Sequence, residues 1–203
     1  MYPIAKRLLD VVGAALLLVG LSPLLGGVAL AIWAVDGRPV LFTQQRAGRE
    51  GEPFRIYKFR TLETGPTDPT RPADHTIPLG DRLRRWALDE LPQLWNVLRG
   101  EMSLVGPRPV PLPHIEHYGE HERVRLRVRP GLTGWAQVQG RNALSWPERI
   151  ELDRWYVRHR SLWIDLRILT RTPGFLLSGM GVTGPEGRNP PPRPTDSTPP
   201  PVL

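Results

Sequence analysis

The chain has 203 residues, a net charge of +7, a mean hydropathy of -0.29 and no cysteine. The missing thiols exclude disulfide scaffolds, cysteine-bearing zinc sites and thiol nucleophiles, and the length suits roughly one to one and a half domains. Of the 27 Lys and Arg residues only Lys6 and Lys58 are lysine, a guanidinium excess that points to anionic partners: phosphates, nucleic acid or an anionic membrane surface.

Residues 11–35 contain no charge. As a helix they would extend roughly 37 Å, enough to cross a hydrocarbon core. Ser22-Pro23 interrupts the segment near its middle, where proline removes a backbone donor, and Gly26-Gly27 loosens it further. Lys6 and Arg7 precede it and Arg38, Arg46 and Arg49 follow, so charge asymmetry chooses no side. A kinked span and a re-entrant helix that returns to its side of origin both satisfy this pattern.

Residues 39–45 and 54–62 read as two short strands around a turn, with Phe54, Ile56, Lys58 and Arg60 on one face by period two. Residues 64–78, rich in Pro, Thr and Asp, read as a loop. Asp81 is placed to cap a helix over 82–90, and Pro92 opens a second over 92–98 that Gly100 closes. That puts Asp89 and Glu90 at a helix junction, near the positive end of the second helix. The alternating stretch 123–129, RVRLRVR, has a strand-like pattern and a choice of anionic partners. Ser145 and Glu148 have capping-box spacing for a helix to about His159, and a further apolar-rich helix covers 161–177, packed in a core or lying on a membrane surface. The last 19 residues, 185–203, hold eight prolines and read as a disordered or polyproline-type tail.

The densest chemistry lies in 88–109, LDELPQLWNVLRGEMSLVGPRP. Asp89 and Glu90 are hard oxygen donors flanked in sequence by Arg84, Arg85, Arg99 and Arg108, a mixture suited to an anionic substrate with a divalent cation. A carboxylate can also attack phosphorus. His114, His117 and His121 have helical metal spacing, but Pro111, Pro113 and Gly119 interrupt the run and favour surface histidines. No P-loop, dinucleotide fingerprint or serine elbow is present.

Six segments together resemble the bacterial sugar transferases, the monotopic phosphoglycosyl transferases. They are KRLLD at 6–10, the Ser22-Pro23 pair, PVLFTQQRAGREGEPFRIYKFRTL at 39–62, the 88–109 stretch, RPGLTGWAQVQGRN at 129–142 and LDRWYV at 152–157. The resemblance covers residues 1 to about 183. It departs mildly at GEMS for GDMS, KFRTL for KFRTM, and Ala87 where Ser or Thr is common. It implies an α+β chain: a re-entrant membrane helix over 1–36 broken at Ser22-Pro23, and a small, mostly helical cytoplasmic domain over 37–184. That domain would carry a short β-hairpin and interfacial amphipathic helices, with the tail over 185–203. No multi-span segment precedes, so the short form of the family is expected.

The resemblance also implies a reaction. Sugar 1-phosphate passes from a UDP-sugar to undecaprenyl phosphate with release of UMP, as the priming step of glycan assembly, through a covalent aspartyl intermediate with Mg²⁺. Asp89 is then the nucleophile and Glu90 a magnesium ligand beside it. Lys58, Arg60, Arg84 and Arg108 are phosphate-binding candidates, and Asp153 a supporting residue. The partners implied are the two substrates and inner-membrane lipids at the cytoplasmic face, with no nucleic acid and room for a homo-oligomer. Two rival readings stand beside this one. A non-catalytic membrane-anchored partner would use the basic surface and tail, and a tethered nucleic-acid binder rests on net charge alone.

Overall fold

The computed structural model describes residues 2–63 and 76–178, so most of the expected 64–78 loop and the whole 185–203 tail lie outside the described residues. The chain opens with α1 (Tyr2–Gly20) and α2 (Ser22–Asp36), which meet at a 60° bend. The cause is local. Pro23, in the first turn of α2, has no N–H for the Val19 carbonyl, and the Ser22 hydroxyl donates to that carbonyl instead at 2.7 Å. Among the described residues no single helix is long and apolar enough to cross a membrane, but the bent pair together is, by length and composition.

One face of α1 belongs to the core. Ala14 is fully buried with Leu104, Val105 and Tyr156, and a Cβ on Gly13 would stand 2.7 Å from Leu104 Cδ1. Polar residues of the KRLLD segment bind the rest of the chain. Buried Asp10 accepts the Leu104 N–H and the Ser103 hydroxyl, both at 2.9 Å. Arg7 donates to the Val97 and Leu98 carbonyls at the end of a later helix, where basic groups complement free C=O groups. Lys6 pairs with buried Asp165, which also accepts the Tyr2 and Tyr156 hydroxyls. The opposite face leaves Ile4, Leu8, Leu16 and Val19 exposed.

An antiparallel hairpin follows, β1 (Leu41–Ala47) and β2 (Pro53–Phe59), with Phe42 opposite Lys58 and Arg46 opposite Phe54. Both strands are close to expectation, but β2 stops before Arg60. Phe54 and Ile56 enter the main core, while Phe59 packs with Ile32 of α2.

The next region departs from expectation. Helix α3 (Gly80–Arg85) ends early, because Ala87 adopts a left-handed φ of 52°. A 3-10 turn over Leu88–Gln93 carries Asp89 and Glu90, and α4 (Leu94–Arg99) follows, closed by Gly100 at φ 84°. The carboxylates therefore sit inside a short 3-10 turn, not at the junction of two α-helices. Asp81 lies in the first turn of α3 and makes no cap.

β3 (Ser103–Val105) pairs in parallel with β4 (Gly131–Thr133), a contact absent from the period-two pattern. Between them come α5 (Leu112–Glu116), α6 (Glu120–Arg123) and a 3-10 turn over Val124–Arg127, so the RVRLRVR stretch is largely helical. Arg125 and Leu126 are both buried, which a strand with alternating faces would forbid. α7 (Trp135–Gln139) leads to α8 (Trp146–His159), whose Glu148 accepts both the N–H and the hydroxyl of Ser145, as the capping spacing requires. α9 (Leu162–Ser178) buries Asp165 and Ile168 and leaves Trp163, Leu166 and Leu177 exposed. The mostly helical chain with its short antiparallel hairpin is α+β.

Replacing Asp10 by Ala leaves the buried Leu104 N–H without its acceptor, while the Ser103 hydroxyl keeps the Val105 carbonyl. The expected cost is about 1–3 kcal/mol of stability, measured by denaturant unfolding in detergent.

Candidate active site

Three segments distant in sequence meet at Glu90. Lys58 reaches it from β2, with Nζ 2.7 Å from Oε1. Arg108, from the loop after β3, binds both carboxylate oxygens, donating to Oε2 at 3.0 Å and to Oε1 as well. Burial alone would raise the Glu90 pKa, but Arg108 and Lys58 together outweigh it and hold the carboxyl well below its ordinary value. Glu90 is thus a buried anion fixed by two cations.

Asp89, next to it in the same turn, is different. It is 7% exposed, and no described residue donates a hydrogen bond to its carboxylate. Burial, reinforced by the Glu90 charge, raises its pKa from 3.8 to about 6, with Lys58, Arg108 and Arg141 opposing. The left-handed Ala87, two residues earlier, is the backbone strain that starts this turn.

The Arg108 loop is held from three sides. Gly106 N–H bonds to the Thr133 carbonyl at 2.9 Å, and a Cβ on Gly106 would come within 2.5 Å of the Arg129 carbonyl oxygen, so only glycine fits. Ala47 N–H bonds to the Val110 carbonyl at 2.9 Å. Arg125, 4% exposed, donates to the Arg108 carbonyl at 3.0 Å and to Tyr118 Oη at 2.9 Å, and pairs with Asp153 at 2.7 Å. Asp153 therefore touches Arg125, and through it the backbone of Arg108, rather than the carboxylate pair.

The remaining sequence candidates are engaged by other partners. Arg60 was expected on the Lys58 face, but β2 ends at Phe59. Its guanidinium is buried against α2, paired with Asp36 Oδ2 at 2.6 Å and donating to the Asp36 and Gly37 carbonyls. Arg84 is engaged by Asp81 at 2.6 Å and by Thr76 Oγ1 at 2.7 Å. His117 Nδ1 lies against the Pro113 carbonyl and His121 pairs with Glu151. Among the described residues no three His, Asp or Glu side chains converge on a metal-sized space. Ser22 and Pro23 form the helix break.

Sequence reasoning missed two cations whose charges act on this site. Arg141, at φ 55°, acts on Asp89, Glu90 and Arg108, and Arg46 on Glu90 and Arg108. Both lie within the family-like segments, but neither has a local pattern that marks it. Burial and the neighbouring Arg108 push the Arg46 guanidinium down to about 10.

The bacterial sugar transferase family model matches residues 1–179. The chain belongs to this family. It is 41% identical over 186 residues to the uncharacterized sugar transferase EpsL of Bacillus subtilis, covering 88% of this chain and 90% of that protein. It is 46% identical over 186 residues to the UDP-glucose:undecaprenyl-phosphate glucose-1-phosphate transferase of Caulobacter vibrioides, with 85% of this chain and 70% of that protein covered. A protein of the same name from Escherichia coli is 40% identical over 186 residues, with 84% of this chain covered, and the chain spans only 40% of its length.

Because the folded Asp89 pKa lies above its unfolded value, ionising it costs native stability. The wild type should lose stability relative to Asp89→Asn as pH rises from 3.8 to about 6, with a constant gap above that range. Thermal unfolding of both proteins across this range checks the sign.

Proposed function

We propose that the chain transfers a sugar 1-phosphate from a UDP-sugar to undecaprenyl phosphate and releases UMP, priming glycan assembly. The observation that carries the proposal is the unequal carboxylate pair: Glu90 fixed by Lys58 and Arg108, and Asp89 buried without a hydrogen-bond donor among the described residues. The names of the Caulobacter and Escherichia relatives support the same chemistry.

In this reading an Asp89 oxygen attacks the sugar-linked phosphorus of the donor. The bond from that phosphorus to the bridging oxygen breaks, and UMP departs with the oxygen. The sugar phosphate stays on Asp89 as an acyl phosphate. A phosphate oxygen of the acceptor then attacks the same phosphorus, forming the diphosphate product and freeing the carboxylate. Burial leaves Asp89 less solvated than an exposed carboxylate, which favours attack. Lys58, Arg108 and Arg141 supply fixed positive charge where the phosphoryl group carries negative charge. Arg60 and Arg84, already engaged by Asp36 and by Asp81 with Thr76, act in this reading by holding structure.

The donor set fits Mg²⁺, which commonly takes one or two carboxylates and completes its shell with substrate phosphates and water. Glu90, kept ionised by its partners, and Asp89 beside it would hold the ion. When bound, it would neutralise charge on the donor diphosphate.

The exposed apolar residues of the α1–α2 pair and of α9 fit a chain held on one membrane leaflet. In this reading α1–α2 is a re-entrant element and the protein works at the cytoplasmic face of the bacterial inner membrane. The remainder to about residue 184 would form the catalytic part.

Detergent-solubilised protein with Mg²⁺, undecaprenyl phosphate and a panel of UDP-sugars should release UMP with at least one donor. Asp89→Asn should reduce release to background, and Arg108→Ala should lower it about 10²–10³-fold. The wild-type kcat/KM for the donor should rise with pH up to about 6 and then level, as Asp89 ionises. UMP release by Asp89→Asn at the wild-type rate would remove Asp89 from the nucleophile role.

A further inference from the structure

A groove of about 600 Å³ opens where α2 hands over to β1. This lies within the roughly 300–1,000 Å³ of small-molecule sites. Its exposed walls are Leu30 and Trp33 from α2 and Leu41 from β1, and Ala29 and Val40 form its floor. The charged side chain lining it is Arg38, which is exposed and has no hydrogen-bond or ion-pair partner among the described residues. Arg60, the nearby cation, is spent on Asp36 and Gly37. The groove is therefore an apolar trough with one cation that has no partner among the described residues.

That chemistry suits a ligand with a long apolar chain and a single anionic head. It does not suit a UDP-sugar, which is polar along its length. One feature favours the lipid acceptor over bulk phospholipid. Ala29 and Val40, on the floor of the trough, pack in the same apolar cluster as Leu88, the residue before Asp89. The trough is thus joined through its floor to the turn that carries the carboxylate pair, as a ligand that delivers its head to Asp89 requires.

We propose that this trough seats undecaprenyl phosphate before transfer, with its isoprenoid chain on Leu30, Trp33 and Leu41 and its phosphate on Arg38. The inference rests on the function proposed above and adds the place where the acceptor is held.

The test separates the two half-reactions. With donor alone, Arg38→Ala, Arg38→Glu and Trp33→Ala should release UMP in a burst equal to that of the wild type. With acceptor added, KM for undecaprenyl phosphate should rise about tenfold in Arg38→Ala, as expected for one lost charge-assisted contact, and further in Arg38→Glu. Arg38→Lys should recover most of the loss, and KM for the donor should not move. An unchanged acceptor KM in Arg38→Ala and Trp33→Ala, or a donor burst that falls with it, overturns the proposal. A photoreactive undecaprenyl phosphate analogue provides a readout independent of turnover. It should label residues 29–41, be displaced by undecaprenyl phosphate and not by excess phosphatidylglycerol, and lose that label in Arg38→Glu. Equal displacement by phosphatidylglycerol would make the trough an ordinary lipid-facing surface and overturn the assignment. A wild type that gives no UMP burst would defeat the proposed function, while the labelling would still decide the trough.

Discussion

The Glu90 carboxylate joins three parts of the chain that have no local reason to meet. Lys58 comes from the hairpin, Arg108 from the loop after β3, and Glu90 from a 3-10 turn between them. A buried carboxylate without such partners would take up a proton rather than stay charged. With two cations on it, Glu90 stays ionised and its position is fixed. Its fixed negative charge then adds to burial in raising the pKa of Asp89. The reactivity proposed for Asp89 is therefore a property of the pair and not of either residue.

Around this centre the structure spends buried polar groups on holding Arg108 still. The buried Arg125–Asp153 ion pair binds the Arg108 carbonyl, and Gly106 admits the close approach of β3 and β4 that aims the loop. Buried ion pairs contribute little net stability, since desolvation offsets much of the attraction. Their effect here is geometric, because removing either partner would leave an uncompensated charge directly behind the loop that carries Arg108.

The N-terminal helix pair is not a detachable anchor. Asp10, Arg7 and Lys6 bind β3, the end of α4 and Asp165 of α9, while the other face of α1 is apolar and exposed. One helix thus belongs to the core on one side and offers an apolar surface on the other. A hydropathy average does not show this, since it does not record which polar side chains are buried and satisfied.

Much of the chain was legible without coordinates. The uncharged segment and its break at Ser22-Pro23, the hairpin, the Ser145–Glu148 helix start and the Asp89–Glu90 pair amid arginines all follow from interactions within a few residues, where local preferences decide. The rest depended on contacts between distant segments. Ala87 takes a left-handed conformation that its residue type does not favour, so the turn carrying Asp89 had no sequence signature. RVRLRVR alternates like a strand, yet Arg125 is drawn into a helical turn by Asp153, 28 positions away. Lys58 and Arg60 look equivalent in KFRTL, but the strand ends between them, and one cation turns to Glu90 while the other turns to Asp36. Residue type determined which groups carry charge. Only the tertiary structure decided which of those charges neutralise one another and which stay free, because pairing depends on distances across the fold that spacing along the chain does not encode.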